Sequence, residues 1–291
     1  MPTYPESRGE QSSTHFVQDR ANKDEIKRLQ VQDQMMTASM GGVLAEQPDP
    51  TTFQRVLDVG CGTGGWLMQV VRAYPSVTRA VGIDVSSKMI EYARSQAQAK
   101  EVVERVEFHV MDALGKLEFP DNSFDLVNMR LGQSYLRKWD WPNILSEFRR
   151  VTQPGGVIRL TESDLCVDTN SAALVRLGEL SFRALYQAGH SFTMEGVTNE
   201  LAQLLAQYAG VTHAQAHTYL SEYHPGTPQG NYFYEDVKHI YRNLLPFMRK
   251  WTRVPDDYEQ IYRQALTEIQ QPDSTTKWSL VTAWGTTTAK K

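Results

Sequence analysis

The chain has 291 residues, of which 41% are apolar and 22% are charged. These values are typical of one large globular domain with a packed core, and they exclude a disordered chain. The 30 basic residues are outnumbered by 34 acidic residues, so no basic excess is present to neutralise a nucleic-acid backbone. No run of about 20 apolar residues predicts a membrane-spanning helix.

Cysteine and histidine usage limits the chemistry of the protein. The two cysteines, Cys61 and Cys166, are too few for a disulfide framework or a four-thiolate metal site. The seven histidines do not show a spacing typical of a metal site. The first residues lack the apolar core of a secretory signal. We therefore expect a cytoplasmic protein without a metal, whose partner is a small molecule rather than nucleic acid or a membrane.

The predicted elements begin with an N-terminal helical arm over residues 1–50, which contains a helix at 22–36. Short apolar strands then alternate with helices. The strands are predicted at 55–59, 79–84, 106–111, 124–129 and 157–162, and the helices at 65–74, 87–100 and 141–151. This alternation predicts βαβ units and a parallel sheet, which binds ligands at the carboxyl ends of its strands.

The second half of the chain loses this alternation. Further helices are predicted at 171–189, 197–209, 235–250 and 256–270, strands at 213–220 and 277–287, and an aromatic loop at 221–234. We expect residues 163–209 to form a helical insertion over a substrate pocket. Residues 210–291 are expected to supply the remainder of the sheet, helices and a substrate-side loop.

The most informative segment is Val56–Gly65, which reads VLDVGCGTGG. A predicted strand runs into four glycines within six positions. Glycine adopts positive φ and has no Cβ, so such a turn lets the backbone approach a ligand closely. The spacing of Gly60, Gly62 and Gly65 also fits the dinucleotide-binding fingerprint, so the turn alone leaves two cofactor classes open.

Three acidic residues at successive strand ends separate these classes. Asp58 stands two residues before the first glycine, where a carboxylate can hold a cationic amine but is unfavourable beside a pyrophosphate. Asp84 ends the second strand, where a carboxylate hydrogen-bonds ribose hydroxyls in either class. Asp112 ends the third strand, where it can accept a hydrogen bond from an adenine amine. The pattern favours a cationic nucleoside over a nicotinamide dinucleotide.

In these motifs the chain resembles the class I S-adenosylmethionine-dependent methyltransferases. The matching segments are residues 56–64, 82–86, 111–113, 124–127 and 148–156. The resemblance implies an α/β, Rossmann-like fold with a seven-stranded, mostly parallel sheet whose last strand is antiparallel. It implies a cofactor-binding core over residues 51–162 and S-adenosyl-L-methionine as the cofactor.

The function implied by the resemblance is methyl transfer to the nitrogen, oxygen or carbon of a small organic molecule. The cover over the predicted sheet is apolar and aromatic rather than basic, which favours a small acceptor. An S-adenosylmethionine-binding cyclase or regulator without methyl transfer is an alternative, because cofactor binding and methyl delivery are separable. An NAD-type oxidoreductase is a further alternative, which Asp58 and the pair Asp112-Ala113 disfavour.

The resemblance also implies a set of cofactor-binding residues at the strand ends. The glycines would let the backbone approach the methionine part, and the acids would bind the ammonium, the ribose and the adenine amine. Residues that follow the strands would pack on the adenine or lie below the sulfonium; for Val85 and Met89 an ordinary core position is equally compatible. The set comprises Asp58, Gly60, Gly62, Gly64, Asp84, Val85, Met89, Asp112, Ala113, Met129 and Arg130.

A general base is needed when the acceptor is a hydroxyl or a carbon acid, whereas a neutral amine needs little help. The catalytic candidates are Tyr135, Glu162 and His224. Glu162 is the best placed by topology, because it follows the fifth strand; a loop acid or helix cap is its alternative role. His224 lies in the aromatic loop, which would either line the pocket or pack the cover on the sheet.

The N-terminal helix has two interpretations. In many relatives of this family a leading helix folds over the cofactor and shields it, and Phe16, Met35 and Met36 would do so here. The alternative is a helix packed on the flank of the sheet.

Overall fold

An eight-stranded sheet forms the centre of the computed structural model, which describes residues 23–163, 167–193 and 196–288. The strands are β1 (Arg55–Val59), β2 (Arg79–Asp84), β3 (Val106–Val110), β4 (Phe124–Arg130), β5 (Thr152–Ser163), β6 (Asp168–Thr169), β7 (Val211–Tyr223) and β8 (Thr276–Thr287). Their order is β3-β2-β1-β4-β5-β8, and β7 pairs with β8. Strands β1 to β5 are parallel, and β8 is antiparallel to β5. The mostly parallel α/β fold is thus confirmed.

The strand count differs from the expected seven because of β6. Thr276 and Lys277 of β8 pair with β6 and also with β7. A strand has only two edges, and β7 occupies the edge opposite β5. The two-residue β6 therefore lies on the β5 side, in line with β5. The sheet has eight strands in seven positions.

Eight helices accompany the sheet in the described part of the chain. They are α1 (Lys23–Ser39), α2 (Gly65–Ala73), α3 (Ser87–Ala99), α4 (Trp141–Val151), α5 (Ala172–Ala188), α6 (Leu201–Tyr208), α7 (Pro228–Trp251) and α8 (Tyr258–Glu268). Local signals define several ends. The side chain of Ser86 accepts from Met89 N at the start of α3, and Gly189 ends α5 at a φ of +83°.

The predicted loop at 221–234 is wrong over most of its length. Strand β7 extends to Tyr223, and α7 begins at Pro228. Thr227 caps this helix, since its hydroxyl oxygen accepts from the backbone N–H of Gly230, and proline suits the first helical turn. The aromatic residues at 232–234 therefore belong to the first two turns of α7.

Three apolar clusters hold the layers together. One packs α4 and α6 on one face of the sheet, and a second packs α2 and α3 on the other face. The third joins α1, α5, α7 and α8 to Trp278 and Leu280 of β8. Consequently, within the segment 163–209, α5 belongs to the layer that contains α1 and α7, whereas α6 packs against α4 and β7.

Candidate active site

A cavity of about 320 Å³ opens at the carboxyl ends of the parallel strands. Its wall combines the turns after β1, β2 and β3, the segment after β4, the end of β5, and the facing helices α1, α5 and α7. Most of the residues predicted from the sequence line it, namely Gly60, Gly62, Asp84, Val85, Asp112, Ala113, Arg130, Tyr135 and Glu162. The strand-end rule therefore locates the cavity correctly.

The glycines of the turn after β1 have different surroundings. Gly62 has a φ of +52°, and a Cβ built on it would meet no atom within 4 Å, so this glycine presents open space to the cavity. Gly64 has a φ of +72°, but its Cβ would lie 2.5 Å from the ring of Phe108. Gly64 is thus required for packing behind the turn, and it does not line the cavity.

Asp84 connects the glycine turn to the end of β2. One carboxylate oxygen accepts from Gly62 N at 3.1 Å, and the other accepts from Ser86 N at 2.9 Å. The residue is almost fully buried in the protein, yet it lines the cavity. A carboxylate is an acceptor of hydrogen bonds from hydroxyl groups, so the position of Asp84 in the cavity wall suits the hydroxyls of a ribose.

Two apolar side chains flank the cavity beyond Asp84. Val85 is 58% exposed and Leu114 is 40% exposed, and both lie in the cavity wall. Asp112 accepts from Leu114 N at 2.9 Å through one oxygen, which fixes the turn after β3. Exposed aliphatic groups beside a carboxylate suit a flat, amine-bearing ring. Leu114 was not predicted from the sequence.

Asp58 lies behind the glycine turn, and it is not part of the cavity wall. It is 2% exposed, and Asn128 Nδ2 donates to its Oδ1 at 2.7 Å. Burial raises the pKa of Asp58 to about 6, against the opposing effects of Arg130 and Asn128. Arg159 in turn donates to Asn128 Oδ1 at 2.7 Å and to Glu46 at 2.7 Å. Asp58, Asn128, Arg159 and Glu46 thus form a buried hydrogen-bonded network behind the glycine turn.

Arg130 links the end of β4 to α1. Its Nη2 donates to Asp33 Oδ1 at 2.6 Å, and its guanidinium lies 5.6 Å from the ring centroid of Trp66. Gln69 donates to the second oxygen of Asp33 at 3.0 Å. The Nε of Arg130 is buried, and it has no hydrogen-bond partner among the described residues. Arg130 lines the cavity, so its guanidinium contributes a positive charge to the wall that suits an anionic group of a ligand.

Glu162 lies at the end of β5, 1% exposed and in the cavity wall. Both of its oxygens lie 3.3 Å from the backbone N–H of Gln133, which donates to them. Gln133 is held by Ser191, which accepts from its Nε2 at 2.6 Å, and by His190, whose Nδ1 donates to its carbonyl oxygen at 2.9 Å. Burial lowers the pKa of His190, which favours the neutral ring. Tyr135 packs its hydroxyl over Gly60.

Besides Asp58 and Gly64, three further predicted site residues lie outside the cavity wall. Met89 and Met129 are fully buried, the first in α3 and the second against Gly132, so both are core residues. His224 is 53% exposed and lies 3.7 Å from Glu222 in the turn before α7. His224 was predicted to be catalytic because residues 221–234 were expected to form a loop at the pocket, but α7 begins at Pro228 within this range. Phe16 and Cys166 fall outside the described residues.

A buried charge cluster on α1 and α7 was missed by the sequence analysis. Arg28 donates to both oxygens of Glu25, at 2.7 and 2.9 Å, and to Asp236 at 2.8 Å. Asn243 also donates to Glu25 at 2.5 Å. Arg28 and Asp236 line the cavity. Burial raises the pKa of Asp236, and the adjacent Arg28 opposes that rise. Helix α1 thus forms one wall of the cavity, to which Arg28 and Met35 both contribute.

Part of the sequence matches a known protein family. Residues 56–156 match the family described as a methyltransferase domain. The matched segment contains all of the motifs through which the chain resembles the class I S-adenosylmethionine-dependent methyltransferases. The match covers the glycine turn and the three acidic strand ends, and it sets aside the NAD-type oxidoreductase.

Individual proteins similar to this chain differ in their named activities. Demethylmenaquinone methyltransferase from Geobacillus stearothermophilus is 29% identical over 158 residues, which are 54% of this chain and 60% of the relative. The chain thus spans less than two thirds of the length of that relative.

Two solved structures show the same fold. Phosphoethanolamine N-methyltransferase 2 from Haemonchus contortus, in complex with phosphomonomethylethanolamine and S-adenosylhomocysteine, has a TM-score of 0.57 and 20% identity. The alignment covers 95% of this chain and 61% of that one. The [4+2]-cyclase SpnF has a TM-score of 0.50 and 19% identity, over 91% of this chain and 97% of its own.

The residues present fit S-adenosylmethionine, the cofactor of this methyltransferase class. Gly62 leaves space for close backbone approach, Val85 and Leu114 flank a place for a ring, and the Asp84 carboxylate lies in the cavity wall. The Arg130 guanidinium adds a positive charge to the same wall, which suits a ligand carboxylate.

Within residues 23–163, 167–193 and 196–288, no group of three metal-ligating side chains lies close enough to hold a metal ion. No helix in the same ranges has the length and apolar character that crossing a membrane requires.

Proposed function

We propose that the protein transfers a methyl group from S-adenosylmethionine to a small organic acceptor. The observation that carries this proposal is the continuity of the cavity. The glycine turn and Asp84 lie in the same wall as Glu162 and Tyr135, and the helices α5 and α7 close the opposite side. A cofactor on the glycine turn and an acceptor against α5 and α7 would thus meet inside one enclosure.

In this proposal the cofactor half of the cavity positions the nucleoside. Asp84 binds the ribose hydroxyls, Asp112 the adenine amine, and Arg130 the carboxylate of the methionine part. When bound, S-adenosylmethionine supplies a methyl on a sulfonium, and displacement joins that carbon to the acceptor's lone pair while the C–S electron pair remains on sulfur. Positioning of this kind contributes up to about 7–11 kcal/mol.

Glu162 acts as the proton acceptor in the other half. Its carboxylate is buried, and the backbone N–H of Gln133 fixes its orientation. His190 and Ser191 hold Gln133 in turn, so they act as positioning residues. Because Glu162 lines the cavity close to the segment after β4, it can reach a nucleophile directed towards the glycine turn.

A second candidate is an S-adenosylmethionine-binding cyclase. The observation that favours it is the shared fold with a protein named as a [4+2]-cyclase. In that case the cofactor would bind without being consumed.

The test is incubation of the purified protein with methyl-labelled S-adenosylmethionine and a panel of amines, phenols and enols, followed by mass spectrometry. We expect a methylated product and S-adenosylhomocysteine in equal amounts. Glu162→Gln is expected to slow turnover at least about tenfold with unchanged cofactor affinity, whereas the exposed Glu118→Gln is the matched control. Tight cofactor binding without any methylated product would favour the cyclase.

A further inference from the structure

The charges around the cavity are unevenly distributed. Among the described lining residues, four are acidic and two are basic: Asp84, Asp112, Glu162 and Asp236 against Arg28 and Arg130. S-adenosylmethionine brings one net positive charge, which leaves an acidic excess. Since charges in an enclosed cavity are only weakly screened, this excess disfavours an anionic acceptor.

Neither arginine is available to an acceptor anion. Arg28 uses Nε, Nη1 and Nη2 in bonds to Glu25 and Asp236, so two carboxylates surround one guanidinium. Arg130 is paired with Asp33 through Nη2, and the proposed function assigns its guanidinium to the cofactor carboxylate. Each cation that lines the cavity among the described residues is therefore committed to a carboxylate.

The remaining wall of this half is apolar. It consists of aliphatic and aromatic side chains from α1, α5, α7 and β8, among them Leu29, Met35, Leu174, Phe233, Val237 and Trp278. Such a surface binds a hydrocarbon or aromatic body rather than a sugar or a phosphate ester.

We infer that the methyl acceptor is an amine carried on an apolar, uncharged body. This inference rests on the proposed function. An aliphatic amine enters as an ammonium ion, which the acidic excess favours. One N–H proton then passes to the Glu162 carboxylate, and the electron pair stays on nitrogen as the nucleophile. A hydroxyl or carbon acid would instead become an anion, and no uncommitted cation is present in this half to stabilise it.

The same reasoning excludes acceptors that carry a phosphate or carboxylate group. Burying such a group beside Glu162 and Asp236 would place like charges together without a compensating cation. A site that accepts a phosphorylated amine needs a cation to balance the phosphate. This cavity does not offer one among the described residues that line it.

The experiment uses three ligands with the same ring and similar length: phenethylamine, phenethyl alcohol and hydrocinnamate. Each is titrated by calorimetry into the protein saturated with S-adenosylhomocysteine. We expect the amine to bind at least about tenfold more tightly than the alcohol and at least about a hundredfold more tightly than the carboxylate. Equal or tighter binding of the carboxylate or alcohol, or no amine binding at millimolar concentration, overturns the inference.

Variants identify the source of the preference. Glu162→Gln is expected to lower the ratio of amine affinity to alcohol affinity about tenfold. Asp236→Asn is expected to lower the ratio of amine affinity to carboxylate affinity. The exposed Glu118→Gln is expected to leave both ratios unchanged, since this residue does not line the cavity. If neither cavity variant moves the ratios, the charge argument is wrong.

The two proposals fail in different ways. S-adenosylhomocysteine is titrated first, without acceptor. If this nucleoside does not bind, the proposed function fails. If it binds and the carboxylate is preferred, only the amine inference fails.

Discussion

Replacement of Gly62 by alanine tests whether the open side of the glycine turn holds the cofactor. Gly62 has a φ of +52° and faces the cavity with no atom within 4 Å of a built Cβ. The added methyl group therefore causes no clash in the protein. It causes backbone strain of about 1–2 kcal/mol, because L-residues avoid this conformation.

Gly155 provides a matched control. It has a φ of +82°, is exposed, and its Cβ would also meet no atom within 4 Å. Gly155→Ala and Gly62→Ala are thus expected to lower the free energy of unfolding by similar amounts, about 1–2 kcal/mol each. The two positions differ in that only Gly62 lines the cavity.

The assay is calorimetric titration with S-adenosylhomocysteine, combined with urea unfolding of both variants. Gly62→Ala is expected to weaken binding at least about tenfold, or about 1.4 kcal/mol, because the methyl group occupies space that the ligand needs. Gly155→Ala is expected to bind like the wild type. Equal affinities of the two variants would refute the placement of the cofactor on this turn.

Three further predictions concern buried charges. Asp84→Ala should weaken nucleoside binding by roughly 1–3 kcal/mol in the same titration, and unchanged affinity would contradict its assignment to the ribose. For Asp58, burial raises the pKa from 3.8 to about 6, so its stabilising effect is full below pH 3.8 and is lost as pH rises through 6. Relative to the wild type, Asp58→Asn should therefore gain about 2 kcal/mol in unfolding free energy between pH 4.5 and 7.5, and a flat difference would refute this shift. Arg28→Ala leaves two buried carboxylates unpaired and should lower stability by about 3–5 kcal/mol in urea unfolding, whereas the exposed Arg263→Ala should cost less than about 1 kcal/mol. Similar losses of unfolding free energy in Arg28→Ala and Arg263→Ala would contradict a stabilising role of the buried ion pairs of Arg28.

The half of the fold that binds the cofactor was predictable because its signals are local. Strands β1 to β4 are five to seven residues long and rich in apolar side chains, and the helices between them have the length of a crossover. Parallel strands bring their carboxyl ends to one edge, so Asp84 and Asp112 meet at the cavity although 28 positions separate them.

Local patterns failed where packing decided the outcome. Met89 and Met129 follow the motif in sequence, but both side chains turn into the core. The aromatic run before residue 235 was interpreted as a loop, although Thr227 and Pro228 form a helix start that the sequence already contained.

By itself, then, the sequence determined the α/β architecture, the glycine turn and the acids at the strand ends, since each depends on residues close together in the chain or on the rules of parallel sheets. The tertiary structure alone decided the acceptor half. Arg28 and Asp236, which line it, are 208 positions apart. The buried network behind the glycine turn was decided in the same way, since Arg159 and Glu46 are 113 positions apart. No periodicity encodes such pairs, because they form only when separate helices and strands pack and the buried charges must find partners away from water.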